Sequence, residues 1–127
     1  NAAETVNIVA SAPPATTNYY INAGDVQYYT TNTSGNWTLN FAHSASTALN
    51  TALAVGQSIT VSLIVVNGGS AYYPNAYTID GNSVTPKWQG GTAPTGGDAS
   101  ATDVYNYTII KTASATYTIL ASQTKFV

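Results

Sequence analysis

The segment Ser58–Val66 alternates apolar and polar side chains, and this pattern constrains the fold more than any other feature of the chain. The apolar residues of one face are Ile59, Val61, Leu63 and Val65, whereas Ser58, Thr60 and Ser62 fall on the other face. A period of two is that of a β-strand with one buried side. We therefore expect a central strand with Ile59, Val61 and Leu63 buried.

Short stretches of strand-forming residues separated by turn residues make up the rest of the chain. The predicted strands are Thr5–Ala10, Thr17–Ile21, Val26–Thr31, Trp37–Ala42, Ala71–Ile79 (interrupted by Pro74), Asn82–Trp88, Asp103–Lys111 and Ala115–Gln123. The Ala- and Leu-rich segment Ser44–Val55 would allow a helical turn, but we expect a loop or a short strand. The Gly- and Pro-rich segment Gln89–Ser100 is expected to be a loop.

Turn residues connect several of these strands. Asn67-Gly68-Gly69 is a strong turn signal, and Asp80-Gly81 and Thr112-Ala113-Ser114 predict hairpins. Short strands at this spacing, without helical periodicity, are typical of all-β domains. We predict one antiparallel, jelly-roll-like β-sandwich domain over residues 1–127, in which residues 1–35 form an N-terminal arm or edge strands.

Charge and cysteine content exclude several classes of function. Charged residues make up 6% of the chain, with three Lys, no Arg, five acidic residues and a net charge of −2. Nucleic-acid binding and polybasic membrane anchoring need clustered cations, so neither is expected. The chain has no Cys, which excludes thiolate metal sites, disulfides and cysteine catalysis. Its apolar stretches are too short for a transmembrane helix.

The residues available for catalysis predict that the chain is not an enzyme. His43 is the only histidine, and the Ser44 that follows it is not part of a G-x-S-x-G motif. Asp98 and Asp103 flank the Gly-rich loop, but glycoside hydrolysis needs two facing carboxyls at a defined separation. We expect Asp103 to stabilise the start of a strand and Asp80 to stabilise a turn.

The same residues give little support for a bound metal or cofactor. One His without Cys cannot supply a usual zinc site. Asp98 with loop carbonyls offers some of the oxygen ligands of a Ca²⁺ site, but Ca²⁺ takes six to eight of them. The Gly pairs at 90–91 and 96–97 lack the Lys-Ser/Thr of a phosphate-binding loop. We therefore expect no cofactor and no metal.

Aromatic residues near the predicted turns form the candidate contact site, which consists of Tyr72, Tyr73 and Trp88. Pro74 interrupts the strand after two tyrosines, so at least one ring is expected to point out of the sheet. The Asp80-Gly81 turn is expected to fold Trp88 back alongside. These rings fill the core or a subunit contact in our preferred interpretation. The alternative is that they stack on a glycan of a host surface.

Several longer motifs resemble a known family. They are NWTLNF (36–41), AVGQSITV (54–61), AYYPNAYTIDG (71–81), TPKWQGGTAP (85–94), DVYNYTIIKT (103–112) and ATYTILASQTKF (115–126). With VNIVASAPPATTNYY and QYYTTN upstream, the chain resembles the β-rich structural proteins of tailed bacteriophages, especially marine and freshwater ones. This resemblance implies a virion protein and brings no catalytic residues with it.

The resemblance and the composition together predict a non-enzymatic structural protein of a phage virion. Two placements stay open: a capsid decoration or cement protein, and a tail or capsid fibre module. The expected partners are copies of the chain itself, as a trimer, and other virion proteins. The alternative function is that of a glycan-binding terminal domain that contacts the host.

Overall fold

Two β-sheets pack face to face around a shared core in the computed structural model, which describes residues 3–127. The strands in chain order are β1 (Val6–Val9), β2 (Thr16–Tyr20), β3 (Val26–Tyr29), β4 (Trp37–Ala42), β5 (Ser58–Val66), β6 (Pro74–Ile79), β7 (Asn82–Val84), β8 (Lys87–Trp88), β9 (Thr102–Ala113) and β10 (Thr116–Phe126). In this part of the chain, one sheet has six strands in the order β1-β3-β5-β9-β10-β8 and the other has four in the order β2-β4-β6-β7. The prediction of a β-rich chain is thus confirmed.

The direction of the strands differs from the prediction. From β1 to β6 the chain alternates between the two sheets, so neighbours within a sheet are two strands apart in sequence. A strand that returns to the same sheet after such an excursion runs parallel to its predecessor. The pairs β1–β3, β3–β5, β2–β4, β4–β6 and β8–β10 are parallel, whereas β5–β9, β9–β10 and β6–β7 are antiparallel. The prediction of an antiparallel, jelly-roll-like sandwich is therefore wrong in strand direction.

The core is formed by aromatic and aliphatic side chains from both sheets. Phe41 of β4 meets Tyr107 of β9 across the layers, with ring centroids 5.2 Å apart. The central strand β5 lies between β3 and β9 and buries Val61 and Leu63, as its alternation predicts. Ile59, near the start of β5, is only half-buried. At the N-terminal end of the chain, β1 and β2 are edge strands, while β3 is internal.

Both predicted hairpins are present. Asp80 and Gly81 join β6 to β7 with φ values of 51° and 81°, and two positive φ values are what a type I′ turn requires. The β9–β10 hairpin turns at Ser114-Ala115. The predicted turn at 67–69 leads from β5 into the other sheet and forms no hairpin.

Two further predictions are corrected by the path of the chain. Residues 44–55 contain the short helix α1 (Leu49–Ala52) rather than a strand. The predicted strand 82–88 divides at Thr85-Pro86 into β7 and β8, which belong to different sheets. Proline cannot donate to a strand ladder, so the crossing occurs there. The segment 89–100 is a loop, as predicted, apart from a 3₁₀ turn at Gln89–Gly91.

The helix α1 depends on a residue far away in sequence. The carboxylate of Asp80 accepts hydrogen bonds from the backbone N–H groups of Leu49 (2.7 Å) and Asn50 (3.0 Å). These N–H groups have no partner within the helix, and a side-chain acceptor stabilises the helix start. At the other end, the buried Lys111 Nζ donates to the carbonyl oxygens of Asn50 and Leu53.

Candidate functional site

A cleft of about 350 Å³ opens beside strands β6 and β8. The residues that line it include Tyr73, Tyr77 and Trp88, together with Pro86 and Pro94. Tyr73 precedes β6 directly, Trp88 ends β8, and Pro94 belongs to the loop that follows. Two of the three residues of the predicted contact site, Tyr73 and Trp88, therefore line the same cleft.

Trp88 joins this cleft to the core. It pairs with Ala121 at the edge of the six-stranded sheet and is half-buried. Its ring lies 6.0 Å from that of Tyr77 and 6.5 Å from that of Tyr107, measured between centroids. One side of the indole thus stabilises the core, and the remainder is available at the surface of the cleft.

The phenols of Tyr77 and Tyr107, which pack against Trp88, are unsuited to proton transfer at neutral pH. The hydroxyls of Tyr77 and Tyr107 are 2.7 Å apart and buried. Burial raises the pKa of both phenols well above the ordinary value. They remain protonated and satisfy each other's hydrogen bonding within the core.

The two predicted contact tyrosines have different surroundings. The backbone of Tyr73 is held by Asn36, whose Oδ1 accepts from Tyr73 N (3.1 Å), and by Trp37, whose N donates to Tyr73 O (3.3 Å). Tyr72 is half-buried against the core and is not among the cleft residues. Its carbonyl oxygen faces Gly97, where an added Cβ would lie only 2.5 Å away. The Tyr72 backbone therefore packs against the loop between β8 and β9.

His43 and Ser44 serve local structure. The carbonyl oxygen of His43 accepts from Asn22 N at 3.0 Å, just after β4. The Ser44 hydroxyl accepts from Thr47 N at 3.0 Å and from Ser46 N at 3.3 Å. The hydroxyl thus stabilises a turn, and the absence of enzymatic activity stays a prediction.

A buried polar cluster, whose contacts were not predicted, lies at the start of β9. Asp103 is fully buried, and its Oδ2 accepts hydrogen bonds from Asn67 Nδ2 (2.8 Å) and Asp98 N (2.9 Å). Burial, together with the neighbouring Asp98 carboxyl, raises the pKa of Asp103 to about 6. Asp103 does stand near the start of a strand, but its contacts fix the preceding loop. The alternation of Asp103, Tyr105 and Tyr107 already places it on the inward face.

The outer faces of both sheets carry hydroxyl and amide groups, and that of the six-stranded sheet also carries a row of apolar residues. On the six-stranded sheet, cross-strand register aligns four apolar residues, which we call the outer apolar row: Ile8, Tyr28, Ile64 and Val104. On the four-stranded sheet the corresponding surface carries hydroxyl and amide groups, which bond to one another at Asn18, Asn40 and Thr78. Beside the outer apolar row, the six-stranded sheet has similar polar pairs, Thr60 with Thr108 and Ser62 with Asn106. Water therefore hydrates both surfaces well except along the row itself.

The described residues 3–127 contain no group of three or more His, Cys, Asp and Glu side chains placed to hold a metal ion. No helix in this range has the length and apolar character needed to cross a membrane. The chain matches no protein-family model, no curated protein and no solved structure.

Proposed function

We propose that this chain is a non-enzymatic structural protein of a tailed-phage virion, acting as a capsid decoration protein or a fibre module. It packs against copies of itself, as a trimer, and against other virion proteins. The motifs at 36–41, 71–81 and 85–94 support the virion assignment through their resemblance to phage structural proteins. The observation that carries the assembly proposal is the outer apolar row.

The outer apolar row lies on a surface almost without charge. Ile8 is 67% exposed and its neighbour Val6 is 42% exposed. Tyr28, Ile64 and Val104 are half-buried on the same side. Among the outward-facing residues of the described six-stranded sheet, Lys87 on the edge strand β8 carries the charge. An exposed apolar row on a surface with so little charge favours association, because few charges repel a second copy.

The size of this surface suits a second copy of the chain. The six strands of this sheet, at about 3.3 Å per residue and about 4.8 Å between strands, outline a face of roughly 700 Å². A stable protein interface covers about 800 Å² on each partner. In the proposed trimer this face turns towards the threefold axis and contacts both neighbouring copies. The six-stranded sheet of one copy is therefore the expected contact surface for the next.

A charge placed in the outer apolar row tests this assembly. The Ile64 side chain points away from the core, so we expect Ile64→Lys to convert the trimer to a monomer that keeps the β-rich fold. Thr16→Lys is the matched control, because Thr16 is exposed on the four-stranded sheet. Mass from light scattering at micromolar concentration is the measurement. A trimer that survives Ile64→Lys, or a wild-type protein that is monomeric, would contradict the proposal.

Glycan binding is the second candidate, and the cleft favours it. Trp88 and Tyr73 line it, and Asn75 and Thr85 add polar groups to the lining. Aromatic faces with a few polar groups are what a sugar-binding cleft needs. We propose a structural function for these rings first, because Trp88 already packs against the core.

Tyr73→Ala separates the two candidates. If the Tyr73 ring lies at the centre of a contact between copies, the free energy of association of the variant is weaker by a few kcal/mol. If the ring serves the core, the melting temperature falls instead. Loss of binding on a host-glycan array, with association and melting unchanged, would move the protein to the receptor-binding class.

A further inference from the structure

Three polar side chains meet where the loop 89–101 joins β9. Asn67 Nδ2 donates to Asp98 O at 3.0 Å and to Asp103 Oδ2 at 2.8 Å. Asp98 N donates to the same Oδ2 at 2.9 Å, and the Asp98 carboxyl contacts that of Asp103. The loop is thus tied to the end of β5 and the beginning of β9 through two carboxyls and an amide.

Two oxygens of this cluster are buried without a hydrogen-bond partner among the described residues. They are Asp103 Oδ1 and Asn67 Oδ1, and their side chains are 0% and 6% exposed. Buried oxygens almost always have a partner in folded proteins. The Asn67 oxygen belongs to the same amide whose nitrogen already contacts both aspartates. These two oxygens therefore indicate a missing positively charged or donating group.

The charges around the cluster also indicate a missing positively charged group. Two contacting carboxylates repel each other when both are ionised. On the adjacent strand, Lys125 is the register partner of Asp103 but is exposed. The next inward residue of β9, Tyr105, has a hydroxyl that accepts from Gln123 Nε2 at 2.9 Å. Among the described residues no cation is paired with the buried Asp103, whose charge is met only by the N–H groups of Asn67 and Asp98.

We propose that Asn67, Asp98 and Asp103 form a binding site for Ca²⁺. Carboxylate and amide oxygens are the ligands that hard divalent cations prefer, and Ca²⁺ accepts irregular arrangements of six to eight oxygens. The two carboxylates and the Asn67 Oδ1 supply the protein ligands, and water completes the shell. Mg²⁺ is disfavoured, because it demands near-octahedral geometry.

Binding of Ca²⁺ would fix the loop that forms one wall of the cleft. Pro94 and Ala93 of this loop line the cleft beside Trp88. Gly97 lies against the Tyr72 backbone so closely that no side chain fits between them. A cation that holds Asp98 against β9 therefore keeps the loop in contact with both Trp88 and the Tyr72 backbone.

Calorimetric titration of the metal-free protein with CaCl₂ at pH 7.5 tests the site, with MgCl₂ as the comparison cation. With few protein ligands, we expect a dissociation constant of about 10⁻⁴ to 10⁻³ M and weaker binding of Mg²⁺. Asp98→Asn should weaken Ca²⁺ binding at least tenfold. Asp25→Asn, which changes an exposed acid elsewhere, should leave it unchanged.

Tb³⁺ luminescence excited through the nearby tyrosines provides a second readout, and it should be lost in Asp98→Asn. Absence of Ca²⁺ binding by the wild-type protein would overturn the proposal, and would mean that the two carboxyls share a proton instead. Equal binding by the wild type and Asp98→Asn would also overturn it, because the cation would then occupy another surface.

Discussion

Replacement of Asp103 by Asn should stabilise the metal-free protein above pH 7. The burial of Asp103 and its contact with Asp98 raise its pKa to about 6, from 3.8 in an unfolded chain. Because the pKa of Asp103 is higher in the folded than in the unfolded chain, its contribution to the free energy of unfolding is fully present below pH 3.8. That contribution is lost as the pH rises through about 6. The carboxylate therefore destabilises the fold at neutral and alkaline pH.

The magnitude follows from the difference between the two pKa values. Two pKa units correspond to about 3 kcal/mol at 1.36 kcal/mol per unit. The amide of Asp103→Asn accepts from Asn67 Nδ2 and Asp98 N as the carboxylate does, and its own N–H groups donate towards the Asp98 carboxylate. We expect the variant to gain about 2–3 kcal/mol over the wild type at pH 8 and almost nothing at pH 4. For a chain of this size, that gain raises the melting temperature by about 10 °C.

Urea unfolding in EDTA between pH 4 and pH 8, followed by the fluorescence of Trp37 and Trp88, provides the measurement. The free energy of unfolding of the wild type should fall across this range, and that of Asp103→Asn should stay nearly flat. Asp25→Asn is the control and should follow the wild type. If Asp103→Asn is destabilised equally at pH 4 and pH 8, the reasoning from burial and the Asp98 contact is refuted.

Two other substitutions probe contacts that hold the loops to the sheets. Gly97→Ala should destabilise the fold by about 1–3 kcal/mol, because its Cβ would meet the Tyr72 carbonyl oxygen at 2.5 Å; Gly96→Ala, with open space around it, should melt like the wild type. Lys111→Met should lose about 1–3 kcal/mol in thermal unfolding, because two carbonyl oxygens beside α1 lose their charged donor. A Lys111→Met protein that melts above the wild type would show that burial of the ammonium group outweighs these bonds.

The candidate contact site could be predicted only in part from the sequence. The composition of the segment 71–88 indicated an aromatic zone, and Tyr73 and Trp88 do line one cleft. Their meeting depends on the crossing at Pro86, which carries Trp88 from the four-stranded sheet to the edge of the six-stranded one. Sequence signals for turns do not state which sheet the next strand joins, so the separate position of Tyr72 was not predictable.

The sequence by itself determined most of the strand segments and, for β5, which face is buried. Alternation in β5 and β4, and the Asp80-Gly81 turn, act over a few residues, and the backbone has few ways to satisfy them. Only the tertiary structure decided strand direction and neighbours, because parallel and antiparallel ladders bury the same alternating face. The same holds for the cluster of Asn67 and Asp103, which are 36 positions apart. Their contact arises because β5 and β9 pair across the sheet, and no local preference of the chain encodes that pairing.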